Sequence, residues 1–162
     1  TISVNSENGK GSTFAFHVLL GITQQLPEEA LYTTFDASNK RLPKVLVVDD
    51  NVVNLVVMRK FLANLGIDAD VAANGREAID FVQRDDFDLV FMDVQMPEID
   101  GLTATRLIRE LSLSTQPFII ALTANAFETD RERCLAAGMN DFLSKPFLFD
   151  DIKNKLSSFW QA

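Results

Sequence analysis

The stretch "KVLVVDD", residues 44–50, decides the fold class. Its four consecutive apolar residues between charges predict a short strand buried on both faces of a parallel sheet. Apolar runs and helical spacings alternate after it. Strands are predicted near residues 67–72, 89–92, 118–122 and 142–143, and helices near residues 51–65, 75–84, 102–111, 126–137 and 150–160. This alternation predicts a doubly wound α/β domain with right-handed crossovers and helices on both faces of a five-stranded sheet.

Polar residues stand where the predicted strands end. Asp49 and Asp50 follow the first strand, Asp93 the third, Thr123 the fourth and Lys145 the fifth. Ligands of open parallel sheets bind outside the carboxyl ends of the strands, so we expect these side chains to converge at one edge. Clustered carboxylates stay ionised beside a cation, and oxygen ligands suit Mg²⁺. The pattern therefore predicts a divalent cation site.

Each of these residues also has a structural alternative when it is taken singly. Asp50 and Thr123 are residue types that commonly cap helices, and a loop lysine is ordinarily solvated. The conjunction of all five at one predicted edge favours a functional site over five separate structural roles.

Composition excludes several classes of function. The chain has 162 residues, 47% of them hydrophobic, so it can form a packed core around one domain. Its net charge of −8 disfavours binding to nucleic acid. Cys134 is the single cysteine, which excludes an internal disulfide and is typical of a reducing compartment. With no signal peptide and no membrane-length apolar run, we expect a cytoplasmic location and no membrane contact by this part of the chain.

The segment "SENGKGSTFAF", residues 6–16, superficially suggests a phosphate-binding loop. A P-loop requires a glycine five residues before the Gly-Lys pair and a helix after it, and neither is present here. Apolar residues alternate with others on both sides of the glycines. Residues 1–20 are therefore predicted to form a β-hairpin, and residues 21–43, which have no sustained period, a linker.

Four motifs within residues 44–160 resemble the signatures of response-regulator receiver domains. They are "VLVVDDN", "DLVFMDVQMPEIDG", "IIALTA" and "DFLSKPF". The segment "VVDDNVVNLVV" is most similar to the corresponding segment in receivers of hybrid histidine kinases. The resemblance implies a flavodoxin-like sheet with strand order 2-1-3-4-5. It also implies a domain of a two-component phosphorelay that catalyses its own phosphorylation and dephosphorylation.

The resemblance assigns roles to the residues at the strand ends. Asp93 would accept the phosphoryl group. Asp50, Asp93 and the backbone carbonyl of Gln95 would bind Mg²⁺ or Mn²⁺, with Asp49 acting through a water molecule. Lys145 and the Thr123 hydroxyl would contact phosphoryl oxygens.

Further residues take supporting roles by the same resemblance. The backbone N–H groups of Val94 and Ala124 would assist at the phosphoryl group. The Lys145–Pro146 bond is expected to be cis, and Gly101 to permit a tight turn. Switching would involve Thr123 and Phe142, although simple core packing is an equal alternative for Phe142.

The first 20 residues resemble the final hairpin of the ATP-binding domain of histidine kinases. The matching residues are Gly9, Gly11, Ser12, Thr13, Phe14 and Phe16. The other nucleotide-binding motifs of that family are not in the sequence. We therefore expect the chain to begin inside the tail of a kinase domain. Without the rest of that domain, we expect one of three outcomes for the hairpin: it is disordered, it packs on the receiver, or it pairs with a second chain in an oligomer.

The phosphoryl donor is expected to be a histidine outside this chain. His17 is the only histidine, and it lacks the acidic neighbour and the downstream proline that are usual at a phosphorylated histidine. The donor would be the parent kinase or a histidine phosphotransfer domain.

A docking surface for that partner is predicted on the first helix. Its core face is assigned to Val57, Met58, Phe61 and Leu65. Further apolar residues then remain outside the core, and we expect a phosphotransfer helix bundle to dock on Val52, Val53, Val56, Pro146 and Phe147. Chance or contact with the linker is the alternative.

Three other functions were compared with the receiver. Phosphatases of the haloacid dehalogenase type need a second aspartate where this chain has Gln95. A flavodoxin-like carrier would have Asp49 and Asp50 repelling the FMN phosphate. A pseudo-receiver, a binding module without phosphoryl transfer, is the serious alternative, and the intact set of Asp50, Asp93, Thr123 and Lys145 argues against it.

Overall fold

The computed structural model describes residues 2–7, 9–17, 41–124 and 128–160. They fall into two compact units, which are considered separately. The first contains an antiparallel hairpin of β1 (Ile2–Glu7) and β2 (Gly11–Phe16), as predicted. The predicted linker lies outside the described residues up to residue 40.

The hairpin presents an apolar face. Ile2 pairs with Phe16 and Val4 with Phe14 across the two strands, and all four side chains are exposed. Gly9 and Gly11 have φ angles of 80° and 99°, which the turn requires and which side chains other than glycine rarely adopt. The glycines of the segment therefore serve a turn, in agreement with the sequence analysis.

The second unit is a five-stranded parallel sheet. Its strands are β3 (Val45–Val48), β4 (Ala69–Ala72), β5 (Leu89–Asp93), β6 (Phe118–Thr123) and β7 (Asp141–Ser144). They lie in the order β4-β3-β5-β6-β7, which confirms the predicted order 2-1-3-4-5. Consequently β3 and β5, which carry the aspartates, are neighbours at the centre of the sheet.

Five helices cover the two faces of the sheet. They are α1 (Val52–Asn64), α2 (Gly75–Arg84), α3 (Gly101–Glu110), α4 (Glu128–Ala136) and α5 (Phe149–Phe159). Side chains of Asn51, Asn74 and Asp100 cap the first three by accepting hydrogen bonds from backbone N–H groups. The predicted start of α4 at residue 126 lies outside the described residues. No helix in the described ranges is long and apolar enough to cross a membrane.

Alternation along the buried strands creates two cores. Val45 and Val47 of β3 contact the cluster under α1 and α5, whereas Leu46 and Val48 contact the cluster under α2 and α3. Since all four residues are fully buried, a shift of β3 by one residue would exchange its two faces. The register that places the aspartates at the edge is therefore fixed by packing on both sides.

The predicted core face of α1 is partly wrong. Met58 and Leu65 are buried as predicted, but Val57 is 38% exposed, and Leu55 and Leu62 are buried instead. The reason is that α1 is apolar on nearly every side, so its hydrophobic periodicity does not mark the face that packs. Val52, Val53 and Val56 are exposed, as predicted.

Arg109 of α3 joins several segments at the end of the sheet opposite the strand-end aspartates. Its guanidinium group donates hydrogen bonds to the carbonyl oxygens of Gly138 and Pro117 and to the side chains of Gln116 and Asn140, at 2.8–3.0 Å. Asn140 Oδ1 also accepts from the N–H group of Ile119 in β6. Arg109 thereby ties α3 to the segments that precede β6 and β7.

Replacing Arg109 by lysine is expected to lower the free energy of unfolding by about 2 kcal/mol, because an ammonium group cannot reach these four acceptors together. Urea denaturation measures the effect. Arg106→Lys, an exposed position on the same helix, is the matched control and should leave the midpoint unchanged. Equal midpoints for the two variants would contradict the structural role given to Arg109.

Candidate functional site

Three carboxylates meet at the carboxyl edge of the sheet. Asp49 and Asp50 follow β3, and Asp93 is the last residue of the adjacent strand β5. Each can offer one carboxylate oxygen such that all three oxygens lie within 4.8 Å of one another. Asp49 and Asp93 are buried and Asp50 is exposed, so the group opens to solvent beside Asp50. This oxygen-only set suits a divalent cation, as the sequence predicted.

Lys145 bridges two of the carboxylates. Its Nζ lies 2.6 Å from Asp49 Oδ2 and 2.8 Å from Asp93 Oδ2, with only 20% of its side chain exposed. Burial by itself would lower the pKa of Lys145, but the hydrogen bonds and charges of Asp49 and Asp93 outweigh that effect, so the pKa is raised. Lys145 therefore remains charged and partly neutralises the acidic group.

The surroundings of Asp93 on balance disfavour its ionised form. Burial raises the pKa of Asp93 above its ordinary value, and the hydrogen bond and charge of Lys145 offset only part of the increase. Its Oδ1 accepts a hydrogen bond from the N–H group of Gln95 at 3.2 Å. Ionised Asp93 thus costs folding free energy at neutral pH, which a second cation would reduce.

Asn54 is a member of the site that sequence reasoning missed. Its side-chain Nδ2 donates to both Asp49 oxygens, each at 3.0 Å, and the N–H group of Asn51 donates to Asp49 Oδ1 at 2.9 Å. Asn54 lies three residues after Asn51, the N-cap of α1, and is therefore in the first turn of the helix that follows Asp49.

Thr123 ends β6, next to the end of β5 that carries Asp93, and is buried. Its carbonyl oxygen accepts from the N–H group of Lys145 at 2.7 Å, which connects the ends of β6 and the loop after β7. An open pocket of about 500 Å³ is lined by Thr123 together with Gln95, Asp130 and Arg133. The pocket offers access to this edge from solvent.

Gly101 is required by a close approach. A Cβ atom at this position would collide with the carbonyl oxygen of Asp93. Gly101 does not have a positive φ angle; in the turn before it, Glu98 does, at 63°. Glycine is therefore required here by the packing of α3 against the end of β5, and not by the tight turn that the resemblance implied. The Lys145–Pro146 bond is cis, as predicted.

Phe142 of β7 is half-buried against the core and lies close to two cationic groups. Lys155 Nζ is 5.1 Å from its ring centroid and the Arg131 guanidinium carbon is 5.3 Å away. Lys155 also contacts both oxygens of Asp141 at 2.7 and 2.8 Å. The side chain therefore combines the predicted core packing with a cation–π contact on the surface.

The predicted docking residues are exposed or half-buried, and Pro146 and Phe147 line a groove together with Lys145. Val52, Val53 and Val56 are between 59% and 68% exposed on α1. An open groove of about 320 Å³ is lined by Asn54, Val57, Lys145, Pro146 and Phe147. Lys145 lines this groove and also contacts Asp49 and Asp93, so a partner in the groove would lie beside the carboxylates.

The sequence profile of the response regulator receiver domain matches residues 45–157. The chain belongs to this family. Receiver domains of this kind act in two-component phosphorelays. The position of the carboxylates, Thr123 and Lys145 at one edge of the sheet is thus the arrangement that the resemblance implied.

Individual relatives agree with this assignment. Hybrid signal transduction histidine kinase K of Dictyostelium discoideum is 37% identical over 163 residues, which cover 94% of this chain and 13% of the relative. The chain thus spans about one eighth of that relative's length. The match extends well beyond the receiver residues and includes part of the segment that precedes them.

Similar solved structures include two receiver domains. The receiver domain of sensor histidine kinase PA1611 from Pseudomonas aeruginosa PAO1, which holds a magnesium ion in its active-site cleft, is 39% identical, with a TM-score of 0.69 over 75% of this chain and 100% of its own. The Saccharomyces cerevisiae complex of the phosphotransfer protein Ypd1 with the receiver domain of Ssk1 gives 32% identity and a TM-score of 0.67 over 74% and 91%.

Asp93→Asn is expected to raise the urea midpoint of the metal-free protein at pH 7. A folded-state pKa above the ordinary value means that ionised Asp93 opposes folding at every pH above that pKa, and asparagine removes the charge. Added Mg²⁺ should raise the midpoint of the wild type and have a smaller effect on the variant. Urea titrations with EDTA or Mg²⁺ measure both effects.

Asp68→Asn provides the matched control, since the Asp68 side chain is fully exposed and outside the site. It should respond to Mg²⁺ like the wild type. A lower midpoint for Asp93→Asn in EDTA would contradict the cost assigned to the buried charge.

Proposed function

We propose that residues 44–160 are a phosphoacceptor receiver in which Asp93 takes a phosphoryl group from a phosphohistidine. The observation that supports this most strongly is the convergence of Asp49, Asp50 and Asp93 with Lys145 at the carboxyl edge of the sheet. A carboxylate is a suitable nucleophile because it is ionised at pH 7 without an additional base.

The proposed cation ligands are Asp50, Asp93 and the backbone carbonyl of Gln95, with Asp49 acting through water. Mg²⁺ is the expected ion and Mn²⁺ an alternative with the same preference for oxygen. The bound ion would supply positive charge that offsets the repulsion between Asp93 and an incoming phosphoryl group. The three oxygens within 4.8 Å are consistent with such a ligand set.

In the proposed reaction a carboxylate oxygen of Asp93 attacks the phosphorus atom of the donor. A phosphorus–oxygen bond forms, the phosphorus–nitrogen bond breaks, and the donor histidine retains the electron pair. Lys145 would leave its contact with Asp93 Oδ2 to pair with a phosphoryl oxygen, and the Thr123 hydroxyl would donate to another. The N–H groups of Val94 and Ala124 would assist.

Switching is proposed to follow from this rearrangement. Thr123 would move toward the phosphoryl group, and Phe142 would move inward behind it. The contacts of Phe142 with Arg131 and Lys155 stabilise its present position, so an inward movement would have to break them. Phe142 has no hydroxyl group, which excludes an output contact through such a group.

The proposed partner is a histidine phosphotransfer domain or the phosphohistidine of a parent hybrid kinase. The complex of Ypd1 with the Ssk1 receiver supports the first of these by similarity. The docking surface would comprise Val52, Val53, Val56, Pro146 and Phe147; the first three are exposed on α1, and the last two line a groove with Lys145. An apolar surface this close to the acceptor would position the donor histidine at Asp93.

Residues 1–20 are proposed to be the last hairpin of a kinase ATP-binding domain, followed by a linker at residues 21–43. The observed hairpin and the extended match to a hybrid kinase support this assignment. Its exposed apolar face would pack against the remainder of such a domain, or against a second chain in an oligomer.

Incubation with acetyl phosphate and Mg²⁺ is expected to add one phosphoryl group to the protein, as measured by intact mass. Asp93→Asn should show no addition, and neither should the wild type in EDTA, because the acceptor or the cation is then missing. Asp68→Asn should be labelled like the wild type.

A folded wild type that binds Mg²⁺ but gains no mass, at the earliest times accessible by rapid quench, would contradict the proposed function. It would then favour a pseudo-receiver. The early times are needed because rapid hydrolysis of the acyl phosphate would otherwise conceal the product.

Val56→Glu is expected to slow phosphoryl transfer from a phosphorylated histidine phosphotransfer protein by about tenfold or more, since it buries a charge in the apolar contact. Labelling by acetyl phosphate should be unchanged. Leu107→Glu on α3 is the control, because Leu107 is also exposed but lies on a helix of the other core. Equal transfer rates for the two variants would contradict the docking surface.

A further inference from the structure

Asp49 is a fully buried carboxylate whose oxygens accept from three protein groups. Lys145 Nζ contacts Oδ2 at 2.6 Å, and the Asn51 N–H group contacts Oδ1 at 2.9 Å. Asn54 Nδ2 contacts both oxygens at 3.0 Å. Two of these three donors are electrically neutral, and Asn54 is the only one of the three that reaches both oxygens.

The start of α1 holds the Asn54 amide in position beside Asp49. Asn54 is the third residue of α1 and is half-buried. Asn51 caps the helix by accepting a hydrogen bond from the N–H group of Val53 at 2.9 Å, and Leu55 and Met58 are buried in the core beneath it. The start of α1 is therefore held both to the loop that carries Asp49 and to the sheet.

We propose that Asn54 is a positioning residue for cation binding, acting through Asp49; this rests on the proposed function of the acidic group as a Mg²⁺ site. The amide orients the carboxylate without adding charge. A cationic donor at this position would satisfy the same oxygens but would repel the ion that the carboxylates must bind. Neighbours that orient metal ligands commonly contribute to affinity in this way.

Lys145 makes the neutral donor necessary. Without Asn54, Asp49 retains Lys145 and one backbone N–H group, and the carboxylate is free to turn toward the ammonium group. Lys145 would then compete more effectively with a cation for Asp49. The effect should appear in the affinity for Mg²⁺ itself, in the absence of any phosphodonor or partner protein.

The test is a Mg²⁺ titration of Asn54→Leu, followed by the chemical shifts of backbone amides in NMR spectra. The dissociation constant for Mg²⁺ should increase about tenfold or more relative to the wild type. Asn64→Leu is the matched control, because Asn64 ends the same helix, is exposed, and lies about 15 Å further along its axis. It should bind Mg²⁺ like the wild type.

A double-mutant cycle with Asp49→Asn tests the route through Asp49. In the Asp49→Asn background, Asn54→Leu should change the dissociation constant by less than about twofold, because the group it orients is already neutral. If Asn54→Leu raised the dissociation constant for Mg²⁺ as much in the Asp49→Asn background as in the wild type, this route would be overturned.

A structural role for Asn54 predicts a different result: a lower urea midpoint in EDTA with the dissociation constant for Mg²⁺ unchanged. That outcome, in a protein whose wild type binds Mg²⁺, would overturn the role of Asn54 and leave the proposed function intact. A wild type that shows no Mg²⁺-dependent shifts would overturn both. The spectra also report directly whether each variant is folded.

Discussion

The contact of Lys145 with Asp49 and Asp93 is the interaction on which the functional edge depends. β7, which precedes Lys145, is three strands away from β3, which precedes Asp49, or about 14 Å at the usual strand spacing. The loop after β7 must therefore turn across the ends of β6 and β5 to bring Nζ within 2.6 Å of Asp49. The hydrogen bond from the Lys145 N–H group to the Thr123 carbonyl oxygen holds this loop against β6.

Packing on both faces of the sheet makes this edge reproducible. The buried valines and leucine of β3 alternate between two cores, so a strand shifted by one residue would place each side chain in the opposite cluster. The same restriction fixes Asp49 and Asp93 beside each other at the ends of adjacent strands. Because the apolar residues fix these positions, they force Asp49 and Asp93 to be buried, and the burial of two carboxylates costs folding free energy.

The fold and the principal site residues could be predicted from the sequence because both depend on local patterns. Apolar runs identify parallel strands, and the polar residues that follow them fall at one edge whatever the details of packing. The core face of α1 could not be predicted in this way, since valines at positions 52, 53, 56 and 57 remove the contrast on which helical periodicity depends. Asn54 was missed because its role requires the distance to Asp49, which depends on the direction in which α1 leaves the loop.

The hydrogen-bond donors around the carboxylates explain how a folded protein can bury these acidic side chains and still keep enough negative charge to bind a cation. Full neutralisation by lysines or arginines would relieve the repulsion but would leave no charge to attract an ion. In this chain one ammonium group contacts two of the three carboxylates, and neutral N–H groups of Asn51, Asn54 and Gln95 satisfy other oxygens. The remaining cost is seen in the raised pKa of Asp93, the residue whose charge would be needed for the proposed attack on phosphorus. Stability is thus lost at the same atom where reactivity is required, as is expected when a fold must keep a nucleophile charged in a buried position.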